Sequence, residues 1–227
     1  MELTHASLHY QIMRHFIEYA SAPSVSELSN IFGRQAVCIV EALNALQAYH
    51  GVVLQPNTHE IWVAHPFSSA PTNFWIESGD MGWWGNCAWC ALGAAALLER
   101  DLTITTTLGS ESKQVVITIK NGKIENSNLY VHFPIPMEKA WGNVIYTCST
   151  MLMFKSESDI DRWCERHNMC KGDVQPIEHI WAFSKVWYGR HLNADWVKWT
   201  VKEASEIFER FGLTHSIWKL PIEQGRF

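Results

Sequence analysis

Residues 87–108 read CAWCALGAAALLERDLTITTTL, a stretch that changes character once. From Cys87 to Arg100 it is rich in Ala and Leu, which predicts a helix buried on most sides, with Asn86 as its N-cap. From Leu102 to Leu108 β-branched residues predict a strand. Working outward, Asp80–Gly85 reads as a turn and Phe74–Glu77 as a strand before it. Downstream come strand-like runs at Lys113–Lys120 and Leu129–Phe133, separated by the turn Asn121-Gly122. Val144–Phe154 reads as a further buried strand, and Ser156 caps a helix to His167. Two helices close the pattern, Ile177–Gly189 and Ala194–Phe211, the second striped by Val197, Val201, Ala204, Phe208 and Phe211. The fold class expected is α+β, a mixed, mostly antiparallel sheet covered by helices.

Before this region lies a different layout. Leu8, Ile12 and Phe16 recur at helical spacing, and Ser24 with Glu27 makes a capping box for a short helix ending near Gly33. Val37, Val40, Leu43 and Leu46 stripe a third helix, and β-like runs Val52–Gln55 and Ile61–Ala64 flank the turn Pro56–His59. This is the order of a winged helix-turn-helix. The helix that would enter DNA, Arg34–His50, holds one basic residue, Arg34, opposed by Glu41, so a structural role is expected. A boundary is expected near residue 66, giving a winged-helix-like domain over 1–66 and a catalytic domain over 67–227.

Bulk composition narrows the function. With 227 residues, 47% of them apolar, the chain can bury a core without disulfides. A net charge of −5 and the lack of any Lys/Arg run argue against a nucleic-acid partner. Met81–Leu98 has membrane-like length without charge, but Gly82, Gly85 and Asn86 interrupt it, so a core helix is expected and no membrane partner. The opening MELTHASLHYQIMRHF has no apolar signal-peptide core, and a cytoplasmic, reducing setting is expected. The six cysteines then read as thiols.

Cys87 and Cys90 stand at i and i+3 in the first turn of their helix, where free amide N–H groups and the helix dipole favour thiolate. A lone CxxC is weak evidence for zinc or redox chemistry, and no second pair exists. Cys148, within an apolar run, reads by itself as a buried structural thiol. Cys164 and His167 have metal-like spacing but core packing is the stronger reading; Cys170 reads as a surface thiol and Cys38 as inert. His65, His132 and His191 are the histidines to test for proximity to the thiols. Trp83, Trp84 and Trp89 flank the cysteine turn and either wall a pocket or fill the core.

The segment from Cys87 to Ile104 resembles the stretch of organomercurial (alkylmercury) lyases in which a Cys-Ala-Leu-Asp motif opens a helix ending in Arg and a strand. Tyr146-Thr147-Cys148-Ser149 is similar to the segment bearing that family's second essential cysteine. Trp187–Leu192, Asp195-Trp196 and Gly212–Thr214 resemble the C-terminal region of such proteins, so the likeness covers nearly the whole chain. The resemblance implies cleavage of a carbon–mercury bond by protonolysis, with Cys87 and Cys148 as mercury ligands. Mercury is soft and prefers thiolate, and two thiolates make the departing carbon basic enough to take a proton. No organic cofactor is implied; Hg(II) or another soft metal is the bound product or ligand, and the partner is a small organomercurial or other small apolar compound.

The chain departs from the family pattern where the proton-handling aspartate belongs, which here is Cys90. Cys90 can act as proton donor or as a third soft ligand, so Cys87, Cys90 and Cys148 form both the catalytic and the metal set expected. Three readings follow: a working lyase, a homologue using a cysteine nucleophile on a non-mercury substrate, and a non-catalytic binder of Hg, Cu or Zn.

Overall fold

The computed structural model describes residues 1–111, 113–125, 128–221 and 226–227. Three helices come first, α1 (His5–Tyr19), α2 (Val25–Phe32) and α3 (Ala36–Ala48). Thr4 and Ser24 cap α1 and α2 with capping boxes, the second the expected Ser24–Glu27 pair. The apolar stripe of α3 is Ile39, Leu43 and Leu46; Val37, expected on it, is exposed. Strands β1 (Val53–Leu54) and β2 (Ile61–Ala64) pair antiparallel around the expected turn.

The hairpin does not end the sheet. β2 pairs with β3 (Phe67–Ser68), which pairs with β5 (Met81–Gly85) and so joins β4 (Phe74–Ser78), β6 (Leu102–Thr107), β7 (Gln114–Lys120) and β8 (Lys123–Glu125). The eight strands lie in the order β1-β2-β3-β5-β4-β6-β7-β8. A second sheet places β9 (Tyr130–Phe133) between β10 (Met153–Phe154) and β11 (Asp173–Pro176). Every strand pair among the described residues is antiparallel. Sheet and core both run through residue 66: Trp83 of β5 is buried and donates its indole N–H to the Phe16 carbonyl of α1 at 2.7 Å.

Three local expectations are corrected. Asp80–Gly85 is not a turn; only Gly79 and Asp80 turn, and Met81–Gly85 is strand β5. Gly82 is required there because a Cβ would lie 1.9 Å from the Trp75 ring on the paired strand. Val144–Phe154 is helix α5 (Val144–Thr150) followed by the short β10. Asn143 caps α5 by accepting the Tyr146 N–H, and the Ser149 and Thr150 hydroxyls donate to carbonyls three residues back, so polar and β-branched residues that suggest a strand are satisfied in a helix. The helix expected from Ala194 begins only at α8 (Val201–Arg210), where Thr200 and Glu203 make a capping box; Val197 lies outside it and is exposed.

The remaining helices are α4 (Ala88–Leu98), α6 (Glu157–His167, capped by Ser156) and α7 (Ile177–Tyr188). α4 is the centre of the molecule, packed on β3, β4 and β5 and against α7. Ten of its eleven residues are buried, and each large apolar side chain such as Leu92 contributes about 1.5–3 kcal/mol. Two small residues permit that packing. A Cβ on Gly85 would meet the Ala91 backbone at 2.7 Å, and one on Gly93 would lie 2.2 Å from the Tyr188 ring of α7.

Candidate functional site

The first turn of α4 is built around sulfur. Cys87, rather than the expected Asn86, is the N-cap, and its Sγ accepts the Cys90 N–H at 3.3 Å. This puts Cys87 Sγ at the positive end of a helix dipole. Two backbone hydrogen bonds bring distant segments to it: Ala88 N–H donates to the Met151 carbonyl at 3.0 Å, and Asn86 N–H to the Pro66 carbonyl at 3.1 Å. The first docks the end of α5, and with it Cys148; the second docks His65. Cys87, Cys90 and Cys148 are all free thiols and all buried.

The donor atoms converge. One ring nitrogen of His65 and the sulfurs of Cys90 and Cys148 lie within 4.8 Å of one another, and His65 Nε2 is 3.8 Å from Cys148 Sγ. Tyr188 Oη is 3.4 Å from Cys90 Sγ, a position α7 reaches because Gly93 leaves room for the ring. Burial pushes the Cys87 thiol up, but hydrogen bonds from the Cys148 and Cys90 thiols and from the Cys90 amide outweigh it and hold Cys87 well below the ordinary range. Burial, then the neighbouring Cys87, pushes Cys90 up; the hydrogen bonds Cys148 gives Cys87 and Cys90, then burial, push Cys148 up. The cluster is therefore unequal: Cys87 gives up its proton more readily than Cys90 or Cys148. Burial lowers His65 to about 4, so its imidazole is neutral and can ligate or accept a proton.

The thiols open into a cavity of about 80 Å³. Trp89, Trp141, Trp187, Trp196, Trp199 and Phe227 give it aromatic walls, and no Asp or Glu lines it among the described residues. A second group of lining residues is His9, His50, His191 and Lys198. Burial takes His191 to about 3 and Lys198 to about 7, and holds His9 well below the usual histidine range.

Of the residues singled out in sequence, the three cysteines, His65, His191 and Trp89 meet here. His132 does not: its Nε2 sits 2.6 Å from the Lys171 carbonyl and 3.7 Å from Cys164 Sγ. Trp83 is core, and Trp84 packs on Trp75 with ring centroids 4.6 Å apart. His167 stacks on Trp163, Cys170 is exposed and Cys38 is half-buried. Tyr188, Trp141, His9, His50 and Lys198 were not anticipated as site residues. Tyr188 falls within the Trp187–Leu192 stretch quoted for the resemblance but was given no role; the other four carry no local motif, and all arrive through packing between segments remote in sequence.

A sequence model described as alkylmercury lyase matches residues 67–189, a span holding all three clustered cysteines. The chain belongs to the alkylmercury lyase family. A crystal structure titled the mercury-bound form of MerB2 has the same fold, with a TM-score of 0.65 at 20% identity over 81% of this chain and 91% of that one. No curated protein sequence matches the chain. No helix among the described residues is long and apolar enough to cross a membrane.

Proposed function

We propose that this protein cleaves the carbon–mercury bond of small organomercurials by protonolysis, with Cys87 and Cys148 as mercury ligands and Cys90 as the proton carrier. The observation that carries the reading is the convergence of three buried free thiols, with Cys87 Sγ accepting the Cys90 N–H at 3.3 Å and the Cys90 and Cys148 sulfurs within 4.8 Å of each other and of His65; the downward shift of Cys87 and the upward shifts of Cys90 and Cys148 agree with it. Cys87 thiolate displaces the exchangeable ligand of R–Hg–X, giving R–Hg–Sγ of Cys87 and releasing X⁻. Cys148 then adds its sulfur to mercury as its proton passes to the neutral His65 imidazole, which holds it for Cys90. Cys90 S–H delivers a proton to the carbon, the carbon–mercury bond breaks to give R–H, and Cys90 recovers the proton that Cys148 released. The product is Hg(II) held by two thiolates, which excess small thiol removes.

Cys90 suits the carrier role because burial favours its protonated form, and because it is within reach of Cys148 and contacted by the Tyr188 hydroxyl. The aromatic walls favour an apolar organic group and keep water from the carbon. The small-molecule partner and soluble, cytoplasmic setting belong to this same reading. A second reading, capture of a soft metal without turnover, is favoured by the convergence of His65, Cys90 and Cys148.

The test is benzene release from phenylmercury at neutral pH with excess small thiol. Turnover by the wild type that Cys87→Ala and Cys148→Ala each abolish supports the lyase. Tight phenylmercury binding without benzene selects metal capture. Cys90→Asp then separates the roles of the thiol: a large gain means Cys90 limits mercury chemistry, and a loss means that it takes part.

A further inference from the structure

Lys198 is the least expected side chain in the cavity wall. It is 6% exposed, and among the described residues its Nζ has no hydrogen-bond or ion-pair partner. A buried ammonium without an acceptor is costly. The ammonium lies 3.9 Å from the centroid of the Trp141 ring, which recovers only part of that cost. Two neighbours repeat the pattern: the buried Nδ1 atoms of His9 and His191 also lack partners, and both line the same cavity. With no carboxylate among the described lining residues, these groups present a lysine amine and two unsatisfied imidazoles to whatever enters.

These groups are joined to the thiols by a short run of side chains. The Trp141 ring is 5.3 Å from the His65 ring, and His65 Nε2 is 3.8 Å from Cys148 Sγ. Lys198 and the thiols therefore line one cavity and are linked through the Trp141 and His65 rings. We propose that Lys198 anchors a carboxylate on the organic part of the substrate while the mercury end sits among the thiols, so that the preferred substrate class is a short or aromatic organomercurial acid. The inference rests on the mercury reading above. A carboxylate would accept from Lys198 Nζ and from His191 and His9, filling the vacant donors with a single group.

The test compares 4-mercuribenzoate with phenylmercury, two probes that share a ring and a mercury atom and differ by one carboxylate. Wild-type protein is expected to bind mercuribenzoate about ten- to a hundred-fold more tightly, the range of a buried charge-assisted hydrogen bond. Lys198→Met, checked for folding by its melting transition, is expected to bring that ratio to about one. Equal affinity in the wild type, or a ratio that survives Lys198→Met, overturns the anchor; the second result includes the case in which Lys198 acts on the reaction itself and both probes suffer alike. Benzoate without mercury gives an independent readout by tryptophan fluorescence, measured in wild type, Lys198→Met and the Cys87→Ser/Cys148→Ser double variant. Benzoate binding that needs Lys198 but not the cysteines supports the anchor even where neither mercurial is held by the thiols, the result that would instead sink the mercury reading.

Discussion

The two groups of residues lining the cavity solve opposite problems. At the thiol end each sulfur has a contact: Cys87 accepts from the Cys90 amide, Cys90 meets Tyr188, and Cys148 meets His65, while His65 Nδ1 and Trp89 Nε1 have no partner among the described residues. Around Lys198, its Nζ and the Nδ1 atoms of His9 and His191 have no partner among the described residues. One group is arranged so that Cys87 gives up its proton first, and the other holds a lysine amine without a partner among the described residues. The contrast teaches that a buried site can be prepared either by satisfying its groups in advance or by leaving them for the ligand to satisfy.

The sharpest way to break the comparison is at the thiol end. Cys87→Ala or Cys148→Ala should lower benzene release from phenylmercury by on the order of 10³-fold or more, measured by headspace analysis. An effect below tenfold would mean that the thiols are not the reacting groups. Gly93→Ala comes next, because its Cβ would lie 2.2 Å from the Tyr188 ring. It should cost about 1–3 kcal/mol of stability in chemical denaturation and reduce turnover as Tyr188 leaves Cys90.

At the other end, Lys198→Met tests whether the unpaired charge is a burden. Its folded pKa is about 7, below the ordinary 10.5, so between those values the unfolded chain holds a proton that the folded one lacks. Stability from this group is therefore lowest below pH 7 and rises as the pH climbs toward 10. Lys198→Met should raise the melting temperature most at pH 6, with the gain shrinking toward pH 10; a gain independent of pH would point to packing instead. The smallest effect is expected outside the cavity altogether. Trp84→Ala should leave benzene release within about twofold of wild type, because Trp84 packs on Trp75 away from the thiols.

What the sequence disclosed follows the same division. Cys87 and Cys90 were legible because their spacing and their helix start are local, and Cys148 became legible through the family resemblance although its segment was misread as a strand. The sheet was legible where burial alternates, as in Leu102, Ile104 and Thr106 of β6. Lys198 was not, for two reasons: residues 194–200 were read as the start of a helix, and a lysine is buried only through neighbours that periodicity does not reveal, here Trp141 and the histidines of α1 and residue 191. The role of residues 1–66 was underestimated for the same reason. His9, His50 and His65 line the cavity, yet nothing in their spacing links them.

The hydrogen bonds from Asn86 to Pro66 and from Ala88 to Met151 have a consequence for biosynthesis. A chain emerging from the ribosome presents Cys87 and Cys90 long before Cys148, and Cys148 before Lys198. Until those segments close on one another, the thiols are scattered ligands on a coil, open to any soft ion that crosslinks them in the wrong order. The thiol cluster therefore exists only once Cys148 has been translated, and on the mercury reading proposed above a soft ion that arrives earlier competes with folding.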